Sequence, residues 1–305
     1  MRYFYFILVL YSQLSADNAY KGSQAYKNHD IPNALHYFAL SCDENNSLAC
    51  VNTGTFYENG GGDIKQDFHK ALTYYSKACD LNEPIGCGKL ATLYNEGLGI
   101  EQDFAKASSY YKIGCDGGYD SACNNLGAMY QHGQGTKQDY SKAIEYYKKG
   151  CDENHSSSCS NLGAMYDMGK GTAKNSSLAF EYYTIACKNG NLTGCNNLGI
   201  KFIEGQGTER NPIKAMKLFT YACNNENAEG CANLGTMYAK GETGEIDYNK
   251  AYTLLSYACN HESGSGCFHL GVRYYNGEGI GRDESIAHKL FKKACNLGYE
   301  DGCKK

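Results

Sequence analysis

The sequence predicts an all-α protein, an αα-repeat solenoid whose helical hairpins coil into a right-handed superhelix. Three observations carry this. The chain holds 16 cysteines, and they fall into eight pairs of spacing C-x7-C: Cys42/Cys50, Cys79/Cys87, Cys115/Cys123, Cys151/Cys159, Cys187/Cys195, Cys223/Cys231, Cys259/Cys267 and Cys295/Cys303. Successive pairs begin 37 residues apart once and 36 apart thereafter, a fixed period that marks a repeat array. Within one period the apolar residues recur three and four positions apart, the spacing of a helix face and not of a strand. A length of 305 residues would otherwise suggest two globular domains. The period overrides that expectation.

Taken in order, the chain opens on MRYFYFILVLYSQLSADN. Arg2, the apolar run from Tyr3 to Tyr11 and the small pair Ser15 and Ala16 have the layout of a secretory signal peptide over residues 1–16. The run is too short for a comfortable transmembrane span. Residues 17–43 read as an N-terminal capping hairpin, because Gly22 and Ala34 lie closer together than their counterparts in later units. Residues 44–296 hold seven repeats of about 36 residues, and 297–305 form a C-terminal end with the last cysteine. Sixteen helices are expected in all.

One repeat shows the logic. In residues 123–151, Leu126, Gly127 and Tyr130 share a helix face, which should stop near Gly133. Gly133-Gln-Gly135 makes the turn and Asp139 caps the second helix. Ala143, Tyr146, Tyr147 and Gly150 then repeat at helical spacing. An alanine stands eight residues before each first cysteine: Ala34, Ala71, Ala107, Ala143, Ala179, Ala215, Ala251 and Ala287. So small a side chain at a fixed place implies close helix–helix approach. Four residues after the second cysteine comes Gly54, Gly127, Gly163, Gly199, Gly235 or Gly271, with Ala91 the departure. Glycine inside a helix costs roughly 1 kcal/mol against alanine, so a neighbouring backbone is expected to pack there.

The string N-L-G-x-M-Y-x-x-G-x-G-T of Asn125–Thr136, followed by K-A-x-x-Y-Y-x-K-x-C from Lys142, resembles the Sel-one-like repeat, a relative of the tetratricopeptide repeat with a longer interhelical turn. With C-x7-C in every unit behind a leader, the chain is similar to the Helicobacter cysteine-rich proteins over residues 17–305. The resemblance implies a superhelix of such hairpins. It also implies a secreted β-lactamase, binding penicillins and slowly hydrolysing the β-lactam amide.

Each first cysteine is expected to end the second helix of one hairpin, and each second cysteine to begin the first helix of the next. An even count, a leader and one spacing favour eight disulfides within the pairs, one per repeat. Zinc is the rival reading, but its sites use C-x2-C or mixed Cys/His clusters, and the eight histidines show no H-x3-H pairing. No metal or cofactor is expected. A nine-residue loop closed by a bridge contributes roughly 2.5 kcal/mol.

Three places could carry chemistry. Two residues after the second cysteine stand Asn52, Asn125, Asn161, Asn197 and Asn233, replaced by Lys89 and His269 elsewhere. In tetratricopeptide relatives this asparagine faces the concave groove and bonds peptide backbone. The resemblance therefore makes the row a ligand track; the structural alternative is a helix cap or a bond to a neighbouring loop. Ser109-Tyr-Tyr-Lys112 matches S-x-x-K, a serine nucleophile one turn from a lysine base. Yet the equivalents of Ser109 are Thr73, Glu145, Glu181, Lys217, Thr253 and Lys289, and no S-D-N or K-T-G partner exists, so it reads as a solvated helix face. The Gly-x-Gly turns could cradle phosphate, but no strand precedes them, and they read as interhelical turns. Tyr-Tyr pairs such as Tyr146-Tyr147 read as packing before ligand stacking.

A net charge of −4 without a basic run argues against nucleic acid or an anionic membrane. The expected partners are a peptide, a peptidoglycan fragment or β-lactam, or another protein. A monomer, secreted or periplasmic, is expected. From the residues alone the reading is a binding scaffold; the resemblance offers the β-lactamase.

Overall fold

The computed structural model describes residues 17–305, and the leader expected over residues 1–16 lies outside them. Sixteen α-helices follow one another, all of 13 residues except the first, of 11. Among the described residues there is no strand, only an isolated bridge between Gly61 and Ile64. The chain forms two compact units that meet in sequence at Glu153 and Asn154. The first holds the hairpins α1 (Asp17–Lys27) and α2 (Ile31–Asp43), α3 (Ser47–Asn59) and α4 (Phe68–Asp80), α5 (Pro84–Glu96) and α6 (Phe104–Asp116), α7 (Asp120–His132) and α8 (Tyr140–Asp152). The second holds α9 (Ser156–Met168) and α10 (Ser176–Lys188), α11 (Leu192–Glu204) and α12 (Pro212–Asn224), α13 (Ala228–Lys240) and α14 (Tyr248–Asn260), α15 (Gly264–Asn276) and α16 (Glu284–Asn296), and ends in a 3-10 turn at Glu300–Lys304. We call the first helix of each hairpin A and the second B.

The A-to-B turn is built the same way almost everywhere. Helix A stops at a left-handed glycine such as Gly133, φ +71°, where a side chain would be strained. The capping residue then works twice. Asp139 accepts from the Lys142 N–H at 3.0 Å, while its own N–H donates to the Tyr130 carbonyl at 2.9 Å. Asp67, Asp103, Asn175, Asn211, Asp247 and Asp283 repeat both bonds. Each satisfies one orphan donor of helix B and ties it to the end of helix A.

The recurring alanines are fully buried, Ala34 through Ala287 alike. At the recurring glycines the expectation of a packed backbone needs correction. A Cβ on Gly54 would lie 2.6 Å from the Tyr75 ring, on Gly127 2.7 Å from Tyr147, and on Gly163 2.8 Å from Tyr183. Phe219 and Phe291 sit likewise against Gly199 and Gly271. Backbone enters only second, as the Ala251 carbonyl 3.2 Å from that point on Gly235. Most of these glycines make room for a ring from their own hairpin's helix B, and Gly235 makes room for Leu255.

Between hairpins the C-x7-C pairs close as disulfides. Cys42–Cys50, Cys79–Cys87 and Cys115–Cys123 hold their Cα atoms 4.6 Å apart. The separation is 4.4 Å in Cys187–Cys195 and Cys259–Cys267, 4.5 Å in Cys223–Cys231 and 4.8 Å in Cys295–Cys303. Cys151 and Cys159 are disulfide-bonded as well, and no cysteine is free.

The position expected for the second cysteine needs correction, because it does not begin helix A. Cys50, Cys87, Cys123, Cys159, Cys195, Cys231 and Cys267 each stand fourth in their helix, and Cys303 lies in the terminal 3-10 turn instead of an α-helix. The cap is the reason. Asn46 accepts from the Ala49 N–H at 3.0 Å and so starts α3 three residues before the cysteine. The Cys50 N–H then closes the first full turn on the Asn46 carbonyl at 3.1 Å. The close approach of the two helices is permitted by a feature the sequence reading passed over: the residue before every cysteine is Ala, Gly or Ser. A Cβ on Gly86 would meet Ala78 at 2.5 Å, and on Gly194 would meet Ala186 at 2.6 Å.

Gly163→Ala should therefore cost about 1–3 kcal/mol in chemical denaturation, because the Tyr183 ring has no room to yield. Gly281→Ala, where a Cβ meets nothing within 4 Å, should stay within about 0.5 kcal/mol of the parent. Non-reducing peptide mapping should return only C-x7-C bridges; a bridge such as Cys79–Cys115 would contradict the structure.

Candidate functional site on the A-helix face

The residues two positions after the second cysteine of the first seven pairs lie on A helices and are all half-buried. In the first unit these are Asn52, Lys89 and Asn125. Their surroundings are set by the second tyrosine of each Tyr-Tyr pair. The rings of Tyr75, Tyr147 and Tyr183 fill the space beneath Gly54, Gly127 and Gly163, and the hydroxyls of these tyrosines and of Tyr111 reach toward A-helix side chains. The Tyr111 hydroxyl lies 3.0 Å from Thr92 Oγ1, with the Asn125 side chain beside it. Tyr147 donates to Gln131 Oε1 at 2.9 Å. Tyr75 donates to Glu58 Oε2 at 2.5 Å, and Lys89 Nζ reaches the same oxygen at 2.9 Å.

The second unit carries Asn161, Asn197, Asn233 and His269. The Tyr183 hydroxyl has the Asn197 side chain and the Asp167 carboxylate nearby. Asn233 donates to Asn196 Oδ1 at 2.8 Å. Beyond Tyr183 the B-helix position holds Phe219, Leu255 and Phe291, and the hydroxyls cease. Burial pushes Tyr75, Tyr111, Tyr147 and Tyr183 above the usual phenol range, so each remains a protonated donor near neutral pH.

Sequence reasoning missed this role of the tyrosines, although the signal was present as Tyr changing to Phe or Leu after position 183. It also missed Lys201. That residue occupies a position filled elsewhere by Phe56, Leu93, Met129, Met165 and Met237, and it is only 3% exposed. Its ammonium lies 2.6 Å from Asp167 and 2.8 Å from Gln206 Oε1. Arg273 shares the register and pairs with Glu278 at 2.6 Å.

The first tyrosine of each pair is a packing group. Tyr74 stacks on Tyr57 with centroids 5.7 Å apart, Tyr110 on Tyr94 at 5.7 Å, and Tyr146 on Tyr130 at 5.5 Å. Lys70, Lys106 and Lys142 lie over Tyr57, Tyr94 and Tyr130, at 4.8, 5.2 and 5.1 Å from the ring centres.

Ser109 has no catalytic surroundings. Its hydroxyl turns back to the Ala105 carbonyl at 3.0 Å. Lys112 is ion-paired with Asp116 at 2.7 Å, and this hydrogen bond raises its pKa. A general base must give up its proton near neutral pH, and Asp116 opposes that. Among the described residues no three His, Cys, Asp or Glu side chains converge as metal ligands.

The Sel1 repeat family matches at residues 14–46, 47–83, 84–119, 120–155, 156–191, 193–227, 228–263 and 264–299. The chain belongs to the Sel1 repeat family. Among solved Sel1-type structures, it is similar to c5321, a protective antigen of uropathogenic Escherichia coli with an SLR fold, at 24% identity and a TM-score of 0.77. That likeness covers 94% of this chain and 63% of the antigen. It is also similar to a Sel1 repeat protein from Oxalobacter formigenes, at 26% identity and a TM-score of 0.71, over 81% of this chain and 99% of that one. Helicobacter pylori cysteine rich protein B is 37% identical over 46% of this chain and its own whole length, with a TM-score of 0.37. No curated protein matches. With every cysteine bridged, this Sel1 protein has the chemistry of an oxidising compartment, extracellular or periplasmic. None of its described helices is long and apolar enough to cross a membrane.

His269 gives the A-helix face a pH dependence. Burial first, then Lys240 and Arg273, lower its pKa to about 4 against 6.5; Glu229 and Asp301 act in the opposite direction. The unfolded chain therefore takes up the proton first as pH falls. The stability involved is fully present above pH 6.5 and is withdrawn between 6.5 and about 4. It amounts to about 3 kcal/mol at most. His269→Asn should reduce the difference between urea denaturation at the two ends of that window; an unchanged difference would place the effect on other groups.

Proposed function

We propose that the chain is a binding scaffold, secreted or periplasmic, whose A-helix faces take extended peptide-like or cell-wall-derived ligands. The observation that carries this reading is the asparagine row, with tyrosine hydroxyls beside Asn125 and Asn197. A half-buried amide on a helix keeps donor and acceptor capacity for a peptide group. In the second unit Asn161, Asn197 and Asn233 recur once per hairpin. Neighbouring helices pack on the order of 10 Å apart, and an extended peptide advances about 3.3 Å per residue. Each amide therefore meets roughly every third peptide group. The preceding positions vary, from Ser160 to Asn196 to Ala232, and would supply side-chain selectivity around a common backbone grip. Helical arrays commonly bind through such extended surfaces.

The test is a peptide selected from a displayed random library against the full chain, titrated by calorimetry. Asn161→Ala combined with Asn197→Ala should weaken it by at least about 1 kcal/mol, since one hydrogen bond is worth about 0.5–1.5 kcal/mol. Unchanged affinity would remove the asparagine row from the site. A chromogenic cephalosporin separates scaffold from hydrolase. Saturable turnover by the purified protein that Ser109→Ala abolishes would make this chain a serine hydrolase.

A further inference from the structure

Two turns of the array depart from the rule, and the one between α13 and α14 borders a cleft. At Gly99, Gly135, Gly207 and Gly279 the second glycine of Gly-x-Gly folds onto the first turn of the preceding B helix, as Gly135 does on Phe104 and Gly279 on Tyr248, whereas a Cβ on Gly62 would meet nothing within 4 Å. Between α13 and α14 the turn runs Gly241-Glu-Thr-Gly-Glu-Ile-Asp247, and Thr243 stands in that glycine's place. Gly135 and Gly279 need positive φ for their tuck; here only Gly241 has it. Thr243 instead reaches the Met216 sulfur at 3.2 Å, and a Cβ on Gly244 would meet nothing within 4 Å. Beneath the turn lies a cleft of about 670 Å³, within the usual ligand range of about 300–1,000 Å³.

The lining has a definite chemistry. Met216 and Met237 supply polarisable, adaptable apolar surface. Ile246, on the turn itself, is 53% exposed, a cost the free protein bears without burial. Around them stand Glu242, Glu245 and Asp247. Arg210 neutralises Glu242 and Lys250 neutralises Asp247. Glu245 is exposed and meets no cation among the described residues, so one negative charge remains beside the apolar surface.

We propose that this cleft docks a partner peptide through an apolar side chain flanked by lysine or arginine. The apolar group seats on Met216 and Met237 and covers Ile246, and the cation lies against Glu245. The cleft contains none of the asparagine row, so the proposal stands apart from the A-helix reading.

Two labelled peptides test it by fluorescence anisotropy on the full chain: one with a Lys-Phe-Lys centre, the other with Glu-Phe-Glu. The basic peptide should saturate, and the acidic one should bind at least about tenfold more weakly, a preference that added salt reduces. Glu245→Lys, an exposed change that leaves folding intact, should reverse the preference. Met216→Ser should weaken both peptides, with unchanged circular dichroism. No saturable binding of the basic peptide, equal affinity for the two, or indifference to Glu245→Lys would each overturn the proposal. So would loss of binding in the Asn161→Ala, Asn197→Ala protein, which would place the peptide on the A-helix face.

Discussion

In most hairpins a ring from helix B occupies the space where a Cβ of helix A would otherwise stand. That contact sets the distance between the two helices, and much else depends on it. The ring can approach only because the facing residue is glycine, as at Gly54, Gly127 and Gly163. The glycine lowers helix propensity locally, and the buried ring more than offsets it, since full burial of a large side chain is worth about 1.5–3 kcal/mol. Where the ring is tyrosine, its orientation delivers a hydroxyl to the opposite surface. Core packing and the candidate binding face thus share one side chain.

The second constraint acts between hairpins. A few short helical turns and rings bury too little surface for one hairpin to stand alone. A bridge at each junction, from Cys42–Cys50 to Cys295–Cys303, reduces the freedom of the unfolded chain and fixes the loop. The third residue of that loop adopts a left-handed conformation at Asn45, Asn82 and Gly118 as at Glu226 and Glu262. The small residue before each cysteine matters as much as the sulfur, because without it the two backbones could not come within 4.4–4.8 Å.

The repeats are not interchangeable. Glu58 with Lys89, and Asp167 with Lys201, place a carboxylate on one A helix and its ammonium on the next. The two lysines come from different positions of the repeat. Buried charges cost more when unpaired than they gain when paired, so these pairs disfavour any pairing of hairpins out of order. The opened turn at Gly241–Asp247 is another departure, and the candidate cleft exists because of it.

The sequence by itself determined the helical hairpins, the cysteine pairing, the caps and the family. All of these are local or periodic: a period of 36, a spacing of eight between paired cysteines, Asp139 before a helix, Gly133 after one. Such signals need no knowledge of what lies across space. Tertiary structure alone decided what faces each glycine, where the tyrosine hydroxyls go and which cations meet which carboxylates. Lys201 looks like any surface lysine until Asp167 and Gln206 are seen around it. Thr243 in place of a glycine is visible in the sequence, but that Met216, Met237 and Ile246 line one cleft around it is a relation between segments distant in sequence.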